Sequence, residues 1–516
     1  MTGRKQNMNS YCASKGFLRS CCADRLTSLP NELLGRILSL LPTKDVAATQ
    51  VLCKRMRPSL SWITSVDLVY SPASLCAKCP IQDERFPLFK SFVIYVLHKL
   101  HHSQQSLTGF RLRLGGDKNI PFLTLEHHCN NACFPDVEPA RLHAWISYPL
   151  AHCGLRELDL SLLVRNPNDS KLPPSLFACQ SLEVLKLDFN LEIDDCAHIP
   201  RICLPNLKLL CLHSFVFNED DFVNRLVSSC PALEDLSITY CSWKKSDHLT
   251  ISSHSLQRLV LNNFKCDEEK NSELVVIDTP NLQYFDYFDN LSFRYSVNVK
   301  ALVEACIYIR HLLQLGTFET AFLCQLDLLR SLSDVQHLSL FGMSAEIMAF
   351  VGELKYQLPI FHNLRTLELG PWGFFDSRWD SVLLLILHRS PLLEALVFPE
   401  GLFDRIHVRP SSIEVETAAL EAECWRSAAT IPSCCLTHLK RIEFGRCFGT
   451  DRELNVIKFL LRAVSVLKDL VISLTCMSKD LTEDQSSAPN LEQFELTLKE
   501  LPRASNSCFI TVQRHI

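Results

Sequence analysis

An α/β fold, a small helical domain followed by a long solenoid of strand–helix repeats, is predicted by three observations. The phrase Leu-x-x-Leu-x-Leu, with other apolar residues substituting, recurs thirteen times along the 516 residues. From Leu155 to Leu393 the steps between copies are 27, 25, 26, 23, 26, 27, 26, 29 and 29 residues. Residues 24–63, ahead of the array, carry a different pattern with helical period. A single phrase fits any amphipathic strand, but a sustained period of this length marks units that bury their apolar faces only by stacking on one another.

The helical segment comes first. Leu33, Leu34, Ile37, Leu38 and Leu41 fall at i, i+1, i+4, i+5 and i+8, one face of a helix predicted over Glu32–Leu41. Pro30 suits its first turn, Glu32 complements the helix dipole, and Pro42 ends it. Thr43 is placed to cap a second short helix with Val46, Ala47 and Val51 on its inner side. So small a piece buries too little surface to be stable alone, so it is expected to lean on a neighbour or a partner.

Two weaker phrases, beginning at Ile63 and Leu107, are expected to open the solenoid within the poorly patterned stretch 64–150. The full phrases begin at Leu155, Leu182, Leu207, Leu233, Leu256, Leu282, Ile309, Val335, Leu364, Leu393, Leu439, Leu467 and Leu491, the copy at Ile309 being degenerate. Helices are predicted between them at Asp220–Cys230, Val299–Ile307 and Asp380–Arg389. Each repeat is then a βα unit, its strand joining a parallel sheet on the concave face and its helix packing outside, the signature of a leucine-rich repeat. The step from Leu393 to Leu439 breaks the register and holds an acid-bearing insertion from Ile413 to Glu423.

Composition narrows the function. With 47% hydrophobic and 21% charged residues a large core is available, and a net charge of −5 suggests neither a polyanion partner nor an anionic membrane surface. No run approaches the roughly 18 apolar residues of a membrane-spanning helix. Residues 1–23 read as a disordered tail without the apolar core of a signal peptide. The 24 cysteines are scattered rather than framed, as in a reducing compartment, and an intracellular location in the nucleus or cytoplasm is expected.

Catalytic chemistry finds no support. The chain has no Gly-x-Ser-x-Gly elbow, no phosphate-binding Gly-Lys-Ser/Thr loop and no His-Glu-x-x-His. The acid pairs Asp194-Asp195, Asp220-Asp221 and Glu268-Glu269 sit where loops or helix starts belong, which favours capping or solvation. Cys76 and Cys79 have zinc-ligand spacing, but His127, His128, Cys129 and Cys133 lack a matching pair. No metal, cofactor or catalytic residue is therefore expected.

Residues 24–57 closely resemble an F-box. The matching elements are Asp24-Arg25-Leu26, Ser28-Leu29-Pro30, the helix Glu32–Leu41, Leu41-Pro42-Thr43-Lys44-Asp45 and Val51-Leu52-Cys53-Lys54-Arg55. One position departs: the family's aromatic after Lys-Arg is Met56 here, which puts the strength of adaptor binding in question unless Trp62 compensates. Ile431–Leu436, Leu439-Lys440, Gly449-Thr450, the helix Glu453–Leu461 and Leu501–Cys508 resemble the FBD module of plant F-box proteins. The order of parts is similar to the F-box/FBD/LRR family: a tail (1–23), an F-box (24–63), a leucine-rich repeat solenoid (64–430) and an FBD module continuing it (431–516).

The resemblance implies a non-catalytic receptor subunit of an SCF-type ubiquitin ligase. Its F-box docks a Skp-type adaptor carried on a cullin scaffold, and its repeats hold a protein substrate for ubiquitination and degradation, a matter of proximity and orientation. By motif position the adaptor face is Leu29, Pro30, Leu33, Leu34, Ile37, Leu38, Leu41, Pro42 and Leu52. On the concave face, Asp159, Lys186, Asp235, Arg258, Tyr284, Asp286 and Glu368 are candidate substrate contacts. Across the two columns of positions flanking the second leucine, the acids Glu157, Asp159, Asp235, Asp286, Glu368, Glu443, Asp469 and Glu495 face Lys186, Arg258 and Arg441. That balance argues against nucleic acid, which needs a basic stripe, and suits a mildly basic or mixed protein segment. The rival reading is a non-ligase leucine-rich repeat scaffold or inhibitor whose F-box no longer binds an adaptor.

Overall fold

The computed structural model describes residues 26–515, apart from residue 27 and the segments 72–84, 104–105, 116–133, 152–153, 166–171, 190–191, 194–201, 218–221, 244–247, 263–264, 267–273, 290–293, 311–317, 372–378, 404–430 and 476–490. The N-terminal tail, the Cys76–Cys133 cluster, the three acid pairs and the insertion at 413–423 lie outside the described residues. The chain divides into two compact units, Met1–Leu176 and Phe177–Ile516.

The first unit begins with α1 (Asn31–Leu38) and α2 (Thr43–Thr49). Pro30 is the N-cap of α1, and its carbonyl accepts from the amides of Leu33 and Leu34 at 3.1 and 3.0 Å. The helix closes three residues earlier than predicted, because Ser39 turns back and its hydroxyl donates to the Gly35 carbonyl at 2.7 Å. Leu40 and Leu41 therefore lie in a turn, with 3.2 and 3.0 Å bonds back to Ile37 and Leu38. Gly35 is required where it stands, since a Cβ there would lie 2.4 Å from the carbonyl oxygen of Trp62.

Two expectations for α2 need correction. Pro42, not Thr43, is its N-cap, and the Thr43 hydroxyl is buried instead against the next strand, accepting the Asp67 amide at 2.7 Å. Val46 is interior as expected and Ala47 half-buried, but Val51 lies beyond the helix and is 86% exposed. Two short 3₁₀ turns (Lys54–Met56 and Ser59–Ser61) bury Met56 and Leu60 and lead into β1 (Ser65–Tyr70). α3 (Arg85–Ser103), β2 (Gly109–Leu114), α4 (Pro139–Leu150) and β3 (Glu157–Leu162) follow. The three strands are parallel, with Val66, Phe110 and Leu158 in register and buried. The two weak phrases thus do open the sheet.

In the second unit twelve described strands form one parallel sheet. The elements are β4 (Val184–Phe189), β5 (Leu209–His213), α5 (Phe222–Ser228), β6 (Asp235–Thr239), β7 (His248–Ser252) and β8 (Arg258–Asn262). Next come β9 (Leu274–Asp278), β10 (Tyr284–Asp289), β11 (Arg294–Asn298), β12 (Glu304–Ile309), α6 (Phe318–Ser331) and β13 (His337–Gly342). Then follow α7 (Ser344–Phe350), β14 (Thr366–Leu369), α8 (Trp379–His388), β15 (Ala395–Phe398), α9 (Ser433–Thr437) and β16 (Arg441–Cys447). α10 (Asp451–Ala463), β17 (Asp469–Thr475), α11 (Leu491–Glu500) and β18 (Phe509–His515) complete it. The sheet order is β4-β5-β6-β8-β10-β12, then β13 through β18 in sequence.

The repeated phrase explains the ladder. Its second leucine stacks strand upon strand on the core face: Leu185, Leu210, Leu236, Leu259, Phe285, Ala305, Leu338, Leu367, Leu396, Ile442 and Leu470 are in register and buried. At about 1.5–3 kcal/mol for each fully buried large aliphatic side chain, this column is a leading stabilising term of the unit. Alternate residues point to the open face and are half-buried or exposed, apart from the buried Ser473 of β17.

The outer layer is helical at α5, α6 and α8, as predicted for Asp220–Cys230 and Asp380–Arg389. Between them β7, β9 and β11 form a three-stranded parallel sheet in place of helices. The Val299–Ile307 helix is not formed, because that stretch is a turn running into β12. The segments His248–Ser252 and Leu274–Asp278 are short and alternate in burial, a period of two that suits strands. The repeat assigned at Ile309 shifts accordingly: its phrase begins at Leu302, with Ala305 and Ile307 in the core. The copy at Leu491 is a helix, α11, since Leu491, Phe494 and Leu498 also satisfy helical spacing, and the last strand is β18. Among the described residues no helix is long and apolar enough to cross a membrane.

Candidate functional site

The nine predicted adaptor residues divide between the inside and the outside of the first two helices. Leu34 and Leu38 are interior. Leu33, Ile37 and Leu41 are each a little over 40% exposed, and Leu52 reaches 72%. Pro30 and Pro42 are exposed and Leu29 half-buried, its carbonyl taken by the Arg55 guanidinium. Periodicity did not single out Leu40, 85% exposed, and placed Val51 on the inner side of the second helix, whereas both stand exposed in turns. Met56 is buried, so its departure from the family's aromatic falls on packing inside this segment. Leu33, Ile37, Leu40, Leu41, Val51 and Leu52 are thus large aliphatic side chains left partly or largely exposed within twenty residues.

The predicted substrate contacts are distributed over both units. In the first, Asp159 is buried and neutralised: Arg113 Nη2 and Arg111 Nε reach its Oδ2 at 2.9 and 3.2 Å, and Arg111 also reaches Asp67 at 3.5 Å. These arginines lie on β2, a strand with only a weak phrase, and were not among the predicted contacts.

In the second unit Asp235, Arg258, Tyr284 and Asp286 come together on β6, β8 and β10. Arg258 Nε lies 3.5 Å from Asp235 Oδ2, and its guanidinium stands 4.0 Å over the Tyr284 ring. Burial raises the Asp235 carboxyl, and Arg258 and Lys186 pull it back down. Burial likewise raises Asp286, countered by Arg258 and reinforced by Glu304. Lys186, on β4, faces Cys211 of β5. Glu368, on β14, accepts the Ser339 hydroxyl at 3.1 Å.

Three positions of the expected columns move. Glu304 and Cys306 of β12 occupy the places assigned to the Ile309 repeat, whose His311 lies outside the described residues. Gln493 and Glu495 belong to α11, and Glu495 is bound to Lys499 and Arg514, each at 2.8 Å, which lower its carboxyl. A third column was not considered: Phe288, Tyr308 and Phe341 continue the alternation by one more outward position on β10, β12 and β13. Phe288 and Tyr308 stack with ring centroids 4.3 Å apart at 18°.

In the C-terminal segment Glu453 is buried at the head of α10. It closes a capping box with Thr450, whose amide donates to Oε2 at 2.8 Å, and it also accepts the Phe448 amide at 3.0 Å. The described cysteines are free thiols, and Cys230, Cys241, Cys434 and Cys435 pack as small buried groups. Among the described residues no group of three His, Cys, Asp or Glu side chains could hold a metal ion.

Comparison with known proteins agrees in all three regions. The F-box domain family matches residues 26–62, and the FBD family matches 428–472. The family described as FBD-associated F-box protein At5g56370, LRR repeats, matches 142–305. The Arabidopsis thaliana F-box/LRR-repeat protein At3g59210 is 30% identical over 470 residues, 88% of each chain. The F-box/LRR-repeat protein At3g59200 of the same plant is 32% identical over 397 residues, 72% of this chain and 68% of that one. The F-box/FBD/LRR-repeat protein At5g56420, also from Arabidopsis thaliana, is 27% identical over 489 residues, 94% of this chain and 98% of that one. An F-box followed by parallel leucine-rich repeats and an FBD segment, with relatives aligned over most of both chains, makes this chain a member of the plant F-box/FBD/LRR-repeat family.

Proposed function

We propose that the chain is the substrate-recognition subunit of an SCF-type ubiquitin ligase. In this reading residues 24–63 dock a Skp-type adaptor and through it a cullin scaffold. The repeats of 64–430, with the FBD module of 431–516, hold a protein substrate for ubiquitination in the nucleus or cytoplasm. The chain supplies no reacting group, and rate comes from raising the substrate's effective concentration near the conjugating enzyme.

The observation that carries the reading is the aliphatic crest of Leu33, Ile37, Leu40, Leu41, Val51 and Leu52 inside the F-box match. Covering the most exposed of them, Leu40, Val51 and Leu52, contributes up to about 1.5–3 kcal/mol each, and the half-covered Leu33, Ile37 and Leu41 less. Leu29 and Pro30, at the entry to α1, belong to the same face by motif position. Pull-down of the full-length chain with a plant Skp-type adaptor tests this. Binding is expected, and the double variant Leu29→Ala with Pro30→Ala should weaken it. A chain that folds but does not bind, or a double variant that binds as before, would sink the ligase reading in favour of a free-standing scaffold.

A further inference from the structure

Four neighbouring strands of the second unit carry a surface unlike the rest of the open face. Register aligns Asp286, Cys306, Ser339 and Glu368 in one row across β10, β12, β13 and β14. The adjoining row is Phe288, Tyr308 and Phe341, all half-buried. Cys306 and Ser339 are small, and three strand spacings put about 14 Å between the backbones of Asp286 and Glu368. The row therefore dips between two carboxylates, with an aromatic wall along one side and Glu304 on the other.

Charge is one-sided here. The open positions of these strands are Tyr284, Asp286 and Phe288, Glu304, Cys306 and Tyr308, His337, Ser339 and Phe341, then Thr366 and Glu368, so three carboxylates stand with no lysine or arginine among them, while Arg258 of the adjoining β8 counters Asp286 at one edge. The carboxylates converge on the dip: burial pushes the Cys306 thiol up to about 12, and Asp286, Glu368 and Glu304 each push further in the same direction. One of the chain's own arginines shows what the aromatic wall accepts: Arg310 lies 5.8 Å over Phe288, at the β10 end. Arg258 makes the same kind of contact on the other side of the row, 4.0 Å over Tyr284.

We propose that this surface is the substrate seat and that it takes a basic segment of a protein. An arginine or lysine side chain lies across Cys306 and Ser339, its stem along Tyr308 and Phe341 and its charge held in the field of the flanking carboxylates Asp286 and Glu368. The inference rests on the reading of the chain as a substrate receptor and specifies the chemistry of the substrate.

The probe is a capped, fluorescein-labelled peptide with two arginines in a glycine–serine sequence, titrated into the full-length chain by anisotropy. Its counterpart carries citrulline, which keeps the shape and removes the charge. The arginine peptide should bind at least about tenfold more tightly than the citrulline one. Asp286→Asn with Glu368→Gln should erase most of that margin, and Ser339→Lys, which seats the chain's own cation, should do the same. Glu443→Gln should leave it intact, because that carboxylate is held by Arg441 at 2.7 Å. Equal binding of the two peptides, no binding of either, or no response to the Asp286/Glu368 and Ser339 variants would overturn the seat. Adaptor pull-down on the same preparations separates the two ideas. Adaptor binding without peptide discrimination removes the seat alone, whereas peptide discrimination without adaptor binding removes the receptor reading and leaves a basic-segment site.

Discussion

Leucine is used in opposite senses by residues 26–62 and by the repeats. In the repeats the phrase leucines face inward, and Leu182, Leu185 and Leu187 of one copy are covered as fully as Leu233 and Leu236 of another. In the F-box segment Leu34 and Leu38 are covered while Leu33, Leu40, Leu41 and Leu52 are in water. The difference follows from geometry. A strand in a stacked array has a neighbour on each side, so every unit covers the next. Two short helices are not stacked between like units, and part of their apolar surface stays exposed. One region uses its hydrophobic residues for its own stability; the other leaves them where the proposed adaptor would cover them.

The sharpest way to break that comparison is to remove a leucine from the ladder. Leu236→Ala should cost about 2–5 kcal/mol in chemical denaturation, since the site is fully enclosed and collapses poorly. A smaller loss is expected at the C-terminal cap. Glu453→Ala strands the buried amide of Phe448 and the amide of Thr450, which should cost about 1–3 kcal/mol.

The same carboxyl sets a pH dependence. Burial raises Glu453 above its ordinary 4.5, so the folded chain holds this proton to higher pH than the unfolded chain does. Its contribution to stability is then most favourable below about 4.5 and declines as pH rises through the folded value. Glu453→Gln should flatten that part of the curve, and parallel curves for the two proteins would show that the carboxyl does not titrate differently on folding.

The smallest effects should come from the exposed crest. Leu40→Ser and Val51→Ser should each move the free energy of unfolding by no more than about 0.5 kcal/mol. A cost on the scale of the ladder variant would mean that these side chains are structural after all.

How much of this was readable beforehand depended on whether a pattern had one physical solution. Ladder positions such as Leu185 and Leu259 were legible because a fixed phrase at a steady step has few other uses. The repeat at Leu302 was not, since Ala305 replaces the second leucine of the phrase while Ile309 imitates its start. Leu491 failed differently: its spacing serves a strand and a helix equally, and α11 won by packing Phe494 and Leu498 inward. On α1 the periodicity located the apolar stripe but not its division, because Leu33 and Leu34 both fit the stripe and only tertiary packing decides which is covered. The seat around Cys306 was half legible. Asp286 and Glu368 were visible as outward positions, but their convergence on one thiol required the register of four strands.

The central claim is that the F-box crest is held for an adaptor and not for the chain's own fold. Isothermal titration of a Skp-type adaptor into the full-length chain and into the Ile37→Ala, Leu52→Ala double variant, each with its thermal midpoint recorded, tests it most directly. The account predicts an affinity loss of at least about tenfold with the midpoint unchanged. Unchanged affinity, or a lowered midpoint that accounts for the loss, would contradict it.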